Sequence, residues 1–349
     1  MTETVKVLIV DDSAVVRRVF SESLASDAEI EVVGTARDPY VARDRIVELE
    51  PDVLTLDIEM PRMDGITFLR KLTKHHPMPV VVVSSLTRKG GKLAMEAMDA
   101  GAVEVVGKAG GQYSTGEMTT VLAEKVKAAA RARVVSVPTS RTEPAKTGGL
   151  AQSARLSRQV IAVGASTGGT SALNYVLERL PADTPGTLIV QHMPEHFTAC
   201  FAERLNRASR MEVREAKDGD ALVRGLALLC PGNKHMILQC SGAKFRVNIK
   251  QGPLVNRHRP SVDVLFRSVA KAGSNALGVI MTGMGKDGAK GLLEMHRSGA
   301  ETIGQDEQSC VVYGMPRAAV KLNAVDDLVP LEHIPRTILR TLNTGQDAG

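Results

Sequence analysis

The sequence predicts an α/β protein built from two doubly wound, mostly parallel sheets joined by a tether, and three observations lead there. Short apolar runs rich in β-branched residues recur in both halves, each followed by a turn and a longer segment with helical spacing, the alternation of βαβ units. Between the halves, residues 134–157 (VVSVPTSRTEPAKTGGLAQSARLS) scatter Pro, Gly, Ser and Thr without a sustained apolar period, which is the composition of a linker. The length of 349 residues exceeds one typical domain and suits two of roughly 100–200 residues each.

In the first half the strands include VKVLIV (5–10), VLTL (53–56), VVVV (80–83) and, last, VEVV (103–106), and the last helix runs from about Glu117 to Arg133. Five strand–helix units fit into residues 5–122. In the second half, assigned to residues 158–345, the strands are VIAV (160–163), TLIVQ (187–191), LALLCP (226–231), FRVNI (245–249) and ALGVIM (276–281). The helix after Ser166 carries Leu173, Val176, Leu177 and Leu180 on one face. Residues 212–252 are shorter-phased and Gly-rich, so hairpins are expected there, an antiparallel insert in a parallel sheet.

Composition narrows the function classes. Hydrophobic residues reach 43% but aromatics only 3%, with no Trp, so cores must rest on aliphatic residues and 14 Met. No apolar run approaches the roughly 18–20 residues that span a bilayer, and the start of the chain does not read as a signal peptide. Cys200, Cys230, Cys240 and Cys310 include no CxxC pair, so neither a zinc site nor a disulfide framework is expected and the cytoplasm is the expected compartment. The net charge of +5 is contained in Arg131, Arg133, Arg141, Lys146, Arg155 and Arg158 against Glu143, all in or beside the linker. A basic tether without a helix-turn-helix pattern argues against nucleic-acid binding, although a response regulator with a DNA-binding output stays as the alternative and a nucleotide-binding α/β module as a further rival.

Strand ends carry the chemistry, because ligands of open α/β sheets bind beyond the carboxyl ends of the strands. Asp11 and Asp12 follow the first strand, Asp57 the third, Ser84 the fourth and Lys108 the fifth. Crowded carboxylates favour a hard divalent cation such as Mg²⁺, with Asp11, Asp12 and Asp57 as its ligands. An Asp carboxylate can accept a phosphoryl group, and Ser84 and Lys108 would hold the new phosphate oxygens. With VDDS (10–13), LDIEMPRMDG (56–65), VVVSS (81–85) and GK (107–108), residues 5–122 resemble the receiver domain of bacterial response regulators. The resemblance implies a flavodoxin-like fold, phosphorylation at Asp57, Mg²⁺ on Asp11 and Asp12, and a chemotaxis histidine kinase as phosphodonor. It departs at Ala109, where the family usually has Pro, and at Val105, where an aromatic is frequent.

In the second half, a Ser, a His and an Asp end three buried strands: Ser166 in VIAVGASTGG, His192 in TLIVQHMP and Asp287 in ALGVIMTGMGKDG. GASTG (164–168) fits the G-x-S-x-G strand-to-helix turn that projects a nucleophilic serine, a weak signal alone. The order Ser…His…Asp differs from α/β-hydrolases but is open to a triad recognised by geometry. Only His192 among the histidines ends a strand next to that of the serine; His75, His76, His196, His235, His258, His296 and His333 compete, His196 being placed on a helix past Pro194 and His235 in a hairpin strand. Asp287 lies among Gly283, Gly285 and Gly288, and Asp263 is its nearest rival. The Met284 N–H in the TGMG turn is the candidate oxyanion donor.

GASTGG, QHMP, PG-x-KH (231–235), GPLVNRHRPSVDVLF (252–266), TGMGKDG and SCVVYGMP (309–316) resemble the catalytic domain of the chemotaxis protein-glutamate methylesterases. The resemblance implies a Rossmann-like catalytic domain and a Ser166–His192–Asp287 triad needing no cofactor. It also implies hydrolysis of γ-glutamyl methyl esters on the cytoplasmic helices of chemoreceptors, deamidation of particular glutamines, and activation by phosphorylation of a receiver that otherwise packs over the catalytic crevice. No membrane insertion is expected, and a monomer is expected.

Overall fold

The structure is a computed structural model and describes residues 4–108, 115–132, 160–241 and 244–343. The linker 134–157 and Ala109 lie outside the described residues. The chain divides into two compact units, Met1–Val134 with Met193–Cys200, and Val135–His192 with Phe201–Gly349.

The first unit runs β1 (Val5–Val10), α1 (Ala14–Leu24), β2 (Ile30–Ala36), α2 (Pro39–Leu49), β3 (Val53–Asp57), α3 (Gly65–His75), β4 (Val80–Ser84), α4 (Arg88–Asp99), β5 (Glu104–Gly107) and α5 (Thr115–Ala130). All neighbouring strands are parallel, in the order β2-β1-β3-β4-β5. Strands β3, β4 and β5 are buried at every residue, as expected of a sheet covered by helices on both faces. Short polar side chains start the helices: Ser13, Asp38, Asp64 and Thr87 each accept a backbone N–H of the first turn. Chain order reverses between β1 and β3, which opens a crevice at their carboxyl ends.

The second unit continues with β6 (Val160–Ala165), α6 (Gly169–Arg179), β7 (Gly186–Gln191), α7 (Phe197–Ala208), β8 (Glu212–Glu215), β9 (Ala221–Leu222), β10 (Leu226–Leu229), β11 (His235–Ser241), β12 (Lys244–Lys250) and α8 (Val262–Val269). It ends with β13 (Ala276–Ile280), α9 (Ala289–Arg297), β14 (Glu301–Gln305), α10 (Met315–Lys321), β15 (Asp327–Val329) and α11 (Ile334–Asn343). Seven strands form a parallel sheet in the order β15-β14-β13-β6-β7-β10-β8. Strand β6 starts near the middle, β7 lies on one side and β13 on the other, so the switch point falls where β6 ends. The core beneath it is aliphatic, with Leu188, Val190, Leu228, Val262, Leu265, Ile280 and Leu292 around Phe266.

Both parallel α/β sheets agree with the sequence reading. The region 212–252 departs from it in part. Only β9, β11 and β12 form an antiparallel sheet; β8 and β10 join the main sheet in parallel. LALL of β10 is buried at all four residues, the mark of a covered parallel strand, and the short connections on either side hid that. His196 does not lie on a helix: it precedes α7, exposed, at φ 70°.

Candidate functional site

At the carboxyl edge of the first sheet, Asp11, Asp12 and Asp57 bring a carboxylate oxygen each to within 4.8 Å of one another. Lys108 follows β5, its N–H held by Ser84 O at 2.7 Å, and its Nζ lies 2.8 Å from Asp57 Oδ2 and 3.0 Å from Asp11 Oδ2. Burial pushes the Asp57 carboxyl up from its ordinary range; Lys108 opposes this, and Asp11 adds to it. Burial works against the Lys108 ammonium, but Asp57 and Asp11 outweigh it and raise its pKa. Arg17 Nη1 donates to the carbonyls of Asp11 (2.7 Å) and Asp12 (3.0 Å), which fixes the loop that carries both acids. The Ser84 hydroxyl donates to Gly90 O at 3.2 Å, and Val105 is buried.

In the second unit Ser166, His192 and Asp287 are all buried at the ends of β6 and β7 and in the loop after β13. Ala165 pairs with Gln191, so Ser166 and His192 are the next residues out on adjacent strands, where strands lie roughly 4.8 Å apart. The Ser166 turn is tied down on three sides: its N–H donates to Thr282 O (3.0 Å), its carbonyl accepts from Gly169 N (2.7 Å), and also from Gln191 Nε2 (2.9 Å). Gly168 closes the turn at φ 78°, a conformation that glycine adopts without steric cost, and α6 begins with no side chain on its first N–H groups.

His192 Nε2 meets Asp287 Oδ2 at 2.8 Å. His192 Nδ1 has no hydrogen-bond partner among the described residues, so its link to Ser166 is not formed here. Asp287 is gripped from every side. Oδ1 accepts from Asn256 Nδ2 (2.7 Å), Ser261 Oγ (2.8 Å) and Asp263 N (3.3 Å), and Oδ2 also accepts from Val262 N (2.6 Å). Ser261 is the N-cap of α8, so the carboxylate sits on a helix N-terminus, where backbone N–H groups favour negative charge. Burial alone would raise its pKa; His192, Asn256 and Ser261 more than reverse this and hold Asp287 well below the usual carboxylate range.

The rival residues have other partners. Asp263 Oδ1 accepts from Gly291 N at 2.7 Å, capping α9 whose own N-cap is glycine, and Oδ2 accepts from Asn256 at 2.8 Å. His235 accepts from Ser261 N (3.3 Å) through Nδ1 and so donates from Nε2 to Pro253 O (2.9 Å). His296 faces Asp326 at 3.1 Å, and His75, His76, His196 and His333 are exposed. Arg259 donates to Asn233 Oδ1 (2.8 Å) and Gly252 O (2.6 Å), so it braces the loop.

Sequence reasoning gave Asn256 and Ser261 no role and weighed His258 only as a rival base. The His258 ring stacks on His192 with centroids 3.7 Å apart and planes 13° apart. A helix-start signal was present, since Pro-Ser-Val-Asp (260–263) places a capping serine before an acid of the first turn.

Beside Ser166, Met284 is half-buried and its N–H has no acceptor among the described residues. The turn is fixed by Gly283, whose carbonyl accepts from Gly314 N (3.1 Å) and Met315 N (2.8 Å). A Cβ at Gly283 would lie 2.4 Å from Met315 Sδ and 2.7 Å from Ser166 Cβ. Gly283→Ala must therefore displace the Ser166 turn; a loss on the order of 10²-fold in kcat is expected, checked by ester hydrolysis alongside thermal unfolding.

Comparison with known proteins agrees in both halves. Residues 161–338 match the CheB methylesterase family, and residues 7–115 match the response regulator receiver domain. A protein of Syntrophus aciditrophicus named protein-glutamate methylesterase/protein-glutamine glutaminase 2 is 58% identical over 338 residues, 96% of this chain and 98% of its own. One of Anaeromyxobacter dehalogenans, numbered 4 under the same name, is 57% identical over 96% of this chain and 94% of its own. The crystal structure of the Thermotoga maritima CheB methylesterase catalytic domain covers 52% of this chain and 98% of its own, at 33% identity and a TM-score of 0.51. The alternative of a DNA-binding output is not supported: the second half is a methylesterase domain. No described helix is long and apolar enough to cross a membrane. The chain thus belongs to the CheB methylesterase family, its catalytic domain following a response regulator receiver domain.

Proposed function

We propose that Ser166, His192 and Asp287 are the catalytic triad of this methylesterase, that its substrates are γ-glutamyl methyl esters and particular glutamines on chemoreceptor cytoplasmic helices, and that phosphorylation of Asp57 activates it. The observation that carries the reading is the 2.8 Å contact of His192 Nε2 with a buried, multiply held Asp287, on the strand beside Ser166. Asp287 accepts from Nε2–H and so leaves Nδ1 with its lone pair; Nδ1 is the proton acceptor for Ser166. The serine oxygen attacks the ester carbonyl, and the oxyanion meets the Met284 N–H beside the uncapped start of α6. His192 returns the proton to the leaving methoxide, methanol departs, and water repeats the sequence on the acyl-enzyme to restore glutamate. With a glutamine substrate the same steps release ammonia. The esterase site itself uses no cofactor.

In the receiver, Asp11, Asp12 and Asp57 suit Mg²⁺: hard oxygen donors converge, and buried Asp11 Oδ2 lacks a well-directed hydrogen bond although Lys108 Nζ is 3.0 Å away. A bound Mg²⁺ would neutralise the carboxylates and phosphoryl oxygens. Asp57 is the phosphate acceptor, a chemotaxis histidine kinase the donor, Lys108 the counter-charge, and Ser84 a further contact to the phosphate once its hydroxyl leaves Gly90. The enzyme acts in the cytoplasm as a monomer.

The test is methanol release from methylated receptor with and without a small-molecule phosphodonor. Wild type is expected to release methanol and to accelerate severalfold with the donor, and Asp57→Ala to keep its basal rate without responding. No methanol from the wild type, or an Asp57→Ala protein that still responds, contradicts the proposal.

A further inference from the structure

His192 is hydrogen-bonded at one ring atom, Nε2 to Asp287, while Nδ1 has no hydrogen-bond partner among the described residues. One hydrogen bond leaves an imidazole free to tilt about it, and tilt would swing Nδ1 away from the serine. The His258 ring lies nearly parallel to that of His192, with centroids 3.7 Å apart, a contact that restricts such tilt.

His258 closes a tight hairpin. Val255 N donates to His258 O (3.1 Å) and His258 N to Val255 O (2.9 Å), with Asn256 and Arg257 at φ 51° and 68° between them. Two central residues at positive φ are the geometry of a type I′ turn, in which Asn is favoured first. Arg257 has no such preference, so the surroundings must hold the turn in place. They do: Arg259 ties its trailing side to Asn233 and Gly252, and His235 ties Pro253 on its leading side. From this one turn Asn256 reaches Asp287 Oδ1 at 2.7 Å while His258 backs His192.

We infer that the Val255–His258 turn is a positioning device for the base–acid pair: Asn256 sets the plane of the Asp287 carboxylate, and the face of His258 sets the plane of His192, the base for Ser166. The inference rests on the triad reading above. Neither residue transfers a proton; both act through their neighbour.

The test uses the full chain with His258→Phe and His258→Leu, two side chains that fill the space but of which only Phe offers a flat face. Ester hydrolysis is measured together with the rate at which a fluorophosphonate labels the serine. His258→Phe is expected to keep kcat within about 3-fold of wild type, and His258→Leu to lose about 10-fold or more in kcat and in labelling rate, with KM little changed. Asn256→Ala is expected to lower both rates in the same way. Equal kcat for the Phe and Leu variants, or an Asn256→Ala protein with wild-type labelling, overturns the inference. Ser166→Ala separates the two readings: if it still hydrolyses ester and is labelled, the triad itself fails, whereas an inert Ser166→Ala beside unaffected turn variants defeats the positioning role alone.

Discussion

Ser166→Ala is expected to slow methanol release roughly 10⁶-fold while the protein melts as wild type does, since triad members act as a unit and the loss of the nucleophile forfeits nearly all of their joint effect. The fold should tolerate the change because the serine turn is held by main-chain groups. Its N–H, its carbonyl and the flanking Gly169 N–H make the bonds to Thr282, Gln191 and the turn itself, and none involves the hydroxyl. The residual rate, which binding and oxyanion donors still support, should remain above that of water. Methanol assayed from a methylated receptor fragment, with unfolding followed in parallel, checks this. A variant within tenfold of wild type would exclude Ser166 as nucleophile.

Asp287→Asn should be nearly as severe in rate, about 10⁴-fold in kcat, because an amide facing Nε2 can select the wrong tautomer of His192. Unlike the serine change it should also destabilise. Asp287 accepts from Asn256, Ser261, His192 and two N–H groups at the start of α8, and Asn supplies one acceptor oxygen in place of two. Leaving buried donors unsatisfied costs about 1–3 kcal/mol each way the network fails to close. The pH dependence has a definite sign. The Asp287 carboxyl is depressed in the folded state, so its contribution to stability is complete above the ordinary carboxylate pKa of about 3.9 and is lost as the pH falls through the folded value. The gap between wild type and Asp287→Asn in unfolding free energy should be largest at neutral pH and shrink on acidification below about pH 4. A gap independent of pH would mean that the carboxylate charge is not what the network stabilises.

How far such features can be read from sequence depends on whether they repeat or stand alone. Parallel strands were legible because each is a short apolar run followed by a helix, and β6, β7 and β13 end on polar residues that the sheet must bring to one edge. Strand β10 was legible as a segment and β8 only as part of a short-phased region, neither as a neighbour in the main sheet, because a parallel partner reached through short connections leaves no periodic trace. Asn256 and His258 were hidden for another reason. Their roles depend on two consecutive positive φ values and on a brace from Arg259 that nothing in NRHRP announces. Likewise, Asp263 rivals Asp287 in sequence, although only Asp287 lies among glycines (Gly283, Gly285 and Gly288). Only the three-dimensional structure separates the one that caps α9 from the one that meets His192.

The position of β6 in the middle of its sheet bears on how the enzyme comes into being. In the first unit each strand finds its neighbours within the first 107 residues, so that sheet can complete while the chain is still being synthesised. Strand β6 instead waits for β13, whose residues 276–280 emerge long after Ser166 has been made. Contacts so far apart in sequence form slowly, because a large loop must close before they are rewarded. A ribosome-bound or truncated chain ending before β13 would therefore carry a finished receiver and an inert serine. Recovery of hydrolysis on refolding should lag behind recovery of phosphate acceptance, which makes the order in which the two activities return a clock for the assembly of the central strands.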